Sequence, residues 1–465
     1  MIQNMKILAC FFLVLATLPV PGQDMDALIL DERHTGRHLV QKIQIDSVWS
    51  GHPVRFALLT HLDRQYIAYY NAQRVITVGQ RFLVEDAFEL NTLPRKERLE
   101  KSGTSTVVEW DSHNSLTLAI DKEGYLHLAG NMHVNGLTYF RSTKAYDITT
   151  IEQVIKMTGA QEDRCTYPRF LNTQDGQLVF HYRDGGSGNG NEIYNIYNCA
   201  GKSWSRLLDV PLTDGQGKMN AYASGPRWGS DGWYHLYWVW RDTPDCATNH
   251  DLSYMKSKDL KNWIDVNGRA ITLPATIDQT PLIVDPIPPH GGIINLAAKL
   301  ALDDDHNPIF VYHKYDEDGS LQLYMAHHHR AKWNISQLTN WDYRWEFSGR
   351  GSINSEFILH DFTKRADGYY LIRFWHIKYG ERNLLLNQDL EPIGKILPPD
   401  NPRILEDVDG DFPGLLVQTS ADTGQSLFSE KTYILKWETL NRNRDRPRPK
   451  PWPSPSTLYL LTFSE

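Results

Sequence analysis

The sequence predicts an all-β fold, a single seven-bladed β-propeller of four-stranded antiparallel blades. Three observations predict it. Acidic residues recur between apolar runs at Asp63, Asp121, Asp175, Asp231, Asp305, Asp367 and Asp411, a mean step of about 58 residues, and a period that long built from short strands and turns is the mark of a propeller blade. Aromatic-rich runs follow several of these positions, at 65–70, 177–182, 233–240 and 308–312. Tryptophans close comparable segments at Trp204, Trp263 and Trp333.

Each repeat reads as four strands. In the second, residues 115–120 form the inner strand, 121–124 the turn, 125–130 the return and 137–141 the next strand. Alternation within the runs fits strands buried on one or both faces, and Asp and Gly suit the tight reversal. The stretch 257–263 is a degenerate Ser-x-Asp…Trp box, read as a structural blade turn. Residues 148–157 are expected to form one short helix. The stretch 441–455 carries five basic residues among prolines and reads as an extended surface strap. Strands at 40–45 and 457–463 are expected to complete one blade from the two ends of the chain, which removes exposed sheet edges.

Residues 1–22 read as a secretory signal, with Lys6 ahead of an apolar run at 7–20. That run is too short for a spanning helix. The propeller is assigned to 23–465 and the protein to the periplasm, as a monomer. A net charge of −8, with no long one-sign block in the body of the chain, gives no sign of a nucleic-acid surface, and no nucleic-acid partner is expected. The 14 tryptophans and 23 tyrosines suit both sheet packing and stacking on sugar faces.

Strand direction sorts candidate residues between two faces. Inner-strand starts and second-strand ends share one face, here called anterior; the intervening turns lie on the posterior face. The anterior set includes His52, His133, Tyr182, Arg183, Arg241 and His250. A polysaccharide lyase needs such groups: Arg or His neutralises a uronate carboxylate, and Tyr or His removes the acidified proton. The posterior turns offer His61, Lys122, Trp228, His306, Lys364 and Arg365. No catalytic metal or other cofactor is expected. His327, His328 and His329 cannot all face one ion from a strand, and Asp303, Asp304 and Asp305 lack the rest of a calcium loop; a structural zinc or calcium stays open.

Residues 51–54, 64–70, 130–133, 182–188, 240–244 with 248–250, and 312–315 together resemble the BNR-repeat seven-bladed propellers of carbohydrate-degrading bacteria. That group holds ulvan-type lyases and the α-L-rhamnosidases of glycoside hydrolase family 145, to which the resemblance is closest. It implies an exo-acting hydrolase that removes L-rhamnose α-1,4-linked to D-glucuronic acid in arabinogalactan-type glycans. It also implies one catalytic histidine on the posterior face, for which strand direction selects His61 over the alternative His52. Lys122, Trp228, Lys364 and Arg365 are then the expected substrate-binding residues. The expected partner is a uronic-acid-containing plant or algal glycan. The alternatives are an ulvan-like polysaccharide lyase at the anterior site and a non-catalytic glycan-binding propeller.

Overall fold

The structure is a computed structural model that describes residues 28–32, 36–398, 402–426 and 431–464. The expected signal segment, 1–22, lies outside the described residues. The described residues are all-β, with a few single-turn 3-10 segments and no α-helix.

Their strands form seven sheets of four or five strands. The first is Ala57–Leu62, Arg64–Tyr70, Ile76–Phe82 and Glu89–Thr92; the second is Leu116–Ile120, Leu126–Gly130, Tyr139–Ser142 and Ile151–Gln153. The third runs Cys165–Asn172, Leu178–Gly186, Asn189–Asn198 and Ser203–Arg206, and the fourth Asn220–Trp228, Tyr234–Arg241, Asn249–Ser257 and Trp263–Ile264. The fifth comprises Lys299–Leu302, Pro308–Tyr315, Leu321–His329 and Lys332–Gln337, and the sixth Phe357–Lys364, Tyr370–His376, Gly380–Leu386 and Pro392–Leu397. In each, successive strands pair antiparallel. Val-, Leu- and aromatic-rich strands such as Tyr234–Arg241 are buried along their whole length, as strands sandwiched between neighbouring sheets must be.

The seventh sheet joins the chain ends. Leu415–Ala421 pairs with Lys431–Leu440, which pairs with Ser456–Ser464, and His38–Val48 closes the order antiparallel to that last strand. Leu458, Leu460, Leu461 and Phe463 are fully buried there. This sheet docks on the first: the Phe56 ring stacks on Trp437 at 4.3 Å, and Ser420 Oγ donates to the Phe56 carbonyl at 2.8 Å. Burying a ring of that size contributes about 1.5–3 kcal/mol.

The turn pattern has a direct cause. Asp121 Oδ1 accepts from the backbone N–H groups of Glu123 and Tyr125, both at 2.9 Å, so one carboxylate satisfies the donors of a tight reversal. Asp303, two residues before the expected Asp305, holds the fifth sheet's turn the same way. Asp411 departs further. It precedes the inner strand Leu415–Ala421, and the acid beyond that strand is Asp422, which accepts from Thr60 N and Gly424 N. Residues 148–157 do not form the expected helix; a 3-10 turn at Ile148–Thr150 runs straight into the strand Ile151–Gln153, because Ile151 is β-branched and pairs with Ser142. In the 257–263 box, Ser257 Oγ donates to Asp259 and to the Asn262 carbonyl, and Trp263 is buried. Cys165, Cys199 and Cys246 are free thiols.

Candidate active site

A cavity of about 660 Å³ opens at the anterior end of the inner strands. Its chemistry comes from residues that flank strand ends. His113 precedes the second sheet's inner strand, and His133 follows the return strand of the same sheet. Asp111 holds both: Oδ1 lies 2.8 Å from His113 Nδ1 and Oδ2 lies 2.5 Å from His133 Nδ1, with the two rings 4.4 Å apart. Asp445, from the Pro/Arg-rich strap, adds a second carboxylate 3.3 Å from His113 Nδ1. Burial opposes charge on His113, but its bonds to Asp111 and Asp445 outweigh burial and raise it to about 9. Asp445 is drawn down to about 2 against its own burial by the same contact. Asp111, His113 and His133 are the one set of three ligand-type groups among the described residues whose donor atoms lie within 4.8 Å. One carboxylate bonds both rings.

Two tyrosines face this cluster. Tyr167 lies on the third sheet's inner strand at φ 54°, where the register shifts between Thr166 and Arg169. Such a bulge re-aims a side chain, and left-handed backbone at a bulky residue is costly unless the fold imposes it. The Tyr167 ring lies 5.8 Å from both His113 and His133 and 6.2 Å from Tyr222. Tyr222 Oη accepts from Arg241 Nη1 at 3.3 Å and donates to Ser187 Oγ at 3.0 Å. The Arg183 guanidinium sits 5.0 Å from the centre of each tyrosine ring.

Their environments separate the two phenols. Burial raises Tyr167, reinforced by its neighbour Tyr222. Burial also acts on Tyr222, but the charges of Arg183 and Arg241 outweigh it and lower its pKa. A pair of titratable groups driven apart in this way is the arrangement that assigns a base and an acid.

Of the anterior residues read from sequence, His133 and Arg241 line the cavity, and Arg183 lies buried against its tyrosines. Tyr182 does not join them. Neighbours on a strand face opposite sides, so Tyr182 packs in the core with Phe180 and Trp204 and donates to the Gln161 carbonyl at 3.0 Å. His250 is held between Asp242 and Asp251, at 3.0 and 2.7 Å, outside the cavity lining. His52 is buried beneath the same face. Its Nδ1 accepts from Trp49 Nε1 at 2.9 Å, and burial pushes its pKa down to about 4, so it is neutral.

His61 lies at the other end of its strand, its ring 6.1 Å from Tyr146. Burial lowers its pKa against the pull of Asp63. A posterior cavity of about 700 Å³ gathers Trp228, Lys364 and Arg365, while His61 and Lys122 do not line it. Lys364 is already paired with Asp304, and Arg365 with Glu32 and Asp367. His327 pairs with Asp303 at 2.8 Å, while His328 packs on Trp333.

Asp111, His113, Tyr167, Tyr222 and Asp445 are absent from the sequence reading. A signal existed for some: His113 and Tyr167 occupy the same place before or within an inner strand as His52 does.

With this geometry in view, the profile of the BNR repeat-containing family matches residues 64–341. The chain belongs to that family. Among curated proteins it is similar to the short-isoform ulvan lyase of Alteromonas sp. (strain LOR), 27% identical over 158 residues, 25% of this chain and 30% of that protein. The long-isoform ulvan lyase of the same strain is 36% identical over 76 residues, 15% of this chain and 8% of that protein. The matches therefore span less than a third of these relatives. Among solved structures, the polysaccharide lyase Uly1 superposes with a TM-score of 0.59 at 14% identity, covering 92% of this chain and 99% of that one. An ulvan lyase of family PL25 bound to -[GlcA(1-4)Rha3S]- superposes with a TM-score of 0.54 at 13% identity, covering 87% and 94%. These structural likenesses show a shared fold. The relatives are lyases, so the comparisons overturn the expected α-L-rhamnosidase and glycoside hydrolase assignment. They favour the lyase alternative. No helix among the described residues is long and apolar enough to cross a membrane.

Proposed function

We propose that the protein is a polysaccharide lyase that cleaves a uronate-containing glycan by β-elimination in the anterior cavity. The observation that carries this reading is the opposed pair Tyr222 and Tyr167, one phenol acidified by two arginines and the other kept protonated. The lyases among its relatives support it.

In this reading the uronate carboxylate sits against Arg241, with Arg183 behind, and its neutralised charge acidifies the adjacent C–H. The Tyr222 phenolate takes that proton. The C–H electrons form the ring double bond, and the neighbouring glycosidic C–O bond breaks. Tyr167 gives its proton to the departing oxygen, leaving an unsaturated uronate and a free hydroxyl end. The proton then passes from Tyr222 back to Tyr167 through solvent. His113 and His133, fixed by Asp111, set the Tyr167 ring.

The seven sheets are, in the same proposal, the blades of one ring over 23–465, with 441–455 as its anterior strap, exported by residues 1–22. The test is product analysis on ulvan and on sulfate-free glucuronate polymers. An ultraviolet-absorbing unsaturated uronate supports the reading; free monosaccharide without a new double bond counts against it.

A further inference from the structure

The arginines of the strap, 441–455, have no part in this chemistry. A second hollow of about 530 Å³ adjoins the anterior cavity, and Pro244 and Arg350 line both. Arg442 of the strap lines the anterior cavity, and Arg444 and Arg446 line the hollow. The guanidinium groups of Arg350, Arg444 and Arg446 thus share one concave space that continues the cavity. The acid among its lining residues is Asp245, whose Oδ1 accepts from the backbone N–H groups of Ala247 and Gly349 at 2.9 and 2.6 Å. The hollow therefore carries an excess of positive charge in a chain of net charge −8, and a cleft dominated by one sign of charge concentrates ions of the other.

The strap holds these groups in place at a conformational cost. The backbone N–H of Arg446 donates to the Asn443 carbonyl at 3.0 Å and closes a turn whose central residues, Arg444 and Asp445, have φ of 54° and 58°. Two positive φ angles in succession suit Asn-Gly, and larger residues persist there only where the surroundings impose them. Here they do. Asp445 is pinned to His113, Ser112 and Ser352, and Arg444 Nη1 donates to the Ser348 carbonyl at 2.9 Å. One strained turn thus ties the anterior cluster to the hollow. The side chains of Arg350 and Arg446 make no hydrogen bond or ion pair with a described residue.

We propose that this hollow is an outer subsite for the polymer, where Arg350, Arg444 and Arg446 bind a second anionic group, a carboxylate or sulfate ester, of the glycan chain whose scissile uronate lies in the anterior cavity. Guanidinium forks match such acceptors with several oxygens. The three side chains are exposed, so each contact is modest and screened by salt. Only a chain long enough to reach both places gains them. The cleavage that this subsite serves rests on the lyase reading; the binding does not.

The test is kcat/KM for elimination at low ionic strength on ulvan oligosaccharides sorted by length, with and without their sulfate esters. Long oligosaccharides should be cleaved about tenfold more efficiently than those that carry only the scissile uronate, the gain that one charge-assisted contact supplies, and mainly through KM. The Arg350→Gln/Arg446→Gln double variant should lose most of that ratio, while Lys450→Gln, on the strap outside the hollow, should keep it. A ratio that survives desulfation assigns the carboxylate, and one that vanishes assigns the sulfate ester. A wild type indifferent to length, or a double variant folded by circular dichroism that keeps the parent ratio, overturns the proposal. If the wild type yields no unsaturated product, the lyase reading fails, and retardation in an ulvan-containing native gel reads the hollow by itself: weaker retardation of the double variant supports the subsite, and equal retardation overturns it.

Discussion

The Asp445 carboxylate of the strap and the His113 imidazole ahead of the second sheet meet at 3.3 Å and bind the strap to the anterior cluster. Asp445 also accepts from Ser112 Oγ and from the backbone N–H of Ser352, both at 2.9 Å. One side chain thus links the seventh sheet's strap to the approach of the second sheet and to the segment leading into the sixth.

Replacing Asp445 by Asn should cost about 1.5–3 kcal/mol, the range for hydrogen bonds to a charged group. The cost should depend on pH. His113 is raised from 6.5 to about 9, so its contribution is full below 6.5 and lost as pH rises through about 9. Asp445 is lowered from 3.8 to about 2, so its contribution is present above 3.8 and lost as pH falls through about 2. Denaturant unfolding of both proteins across pH should show the largest difference between 3.8 and 6.5. A difference that does not change with pH would separate the strap from His113.

Arg241→Gln should move the acid limb of turnover upward by about one pH unit, because a nearby positive charge favours the phenolate and its removal favours the phenol. In the proposed elimination the limb reports deprotonation of Tyr222, which Arg183 and Arg241 hold below its ordinary 10.0. A pH–rate profile of elimination measures it, and an unmoved limb would mean that another group is the base.

His61→Gln should leave elimination unaffected, since His61 lies at the posterior end of its strand beside Tyr146 and outside the anterior cavity. Loss of activity in a folded His61 variant would return the chemistry to the posterior face. Tyr182→Phe, which removes only core hydrogen bonds to Gln161 and Arg206, should lower stability by about 1 kcal/mol and leave the pH–rate profile in place.

The sheets were readable because the turn chemistry and strand alternation are local. Asp121 shows its role in the four residues after it. The seventh repeat slipped because Asp411 mimics a turn acid while the inner strand lies beyond it. The site was harder to read. Tyr167 and Tyr222 sit in runs that look like core, and only a bulge at 166–169 and the packing of a neighbouring sheet bring them into the cavity. Tyr182 and Arg183 share one strand end in the sequence, yet strand geometry sends adjacent side chains to opposite faces. Asp445 could not be placed from sequence at all, because its contact depends on where a proline-rich strap crosses the face.

The proposed elimination turns on the Tyr222 hydroxyl. Tyr222→Phe keeps the ring beside Arg183 and Tyr167 and removes only the hydroxyl proposed as the base. With ulvan as substrate, the appearance of ultraviolet-absorbing unsaturated uronate should fall by about 10²–10⁴-fold in the variant, the contribution expected of a general base, with folding unchanged. Wild-type protein that forms no unsaturated product, or a variant that forms it at the parent rate, would contradict the account.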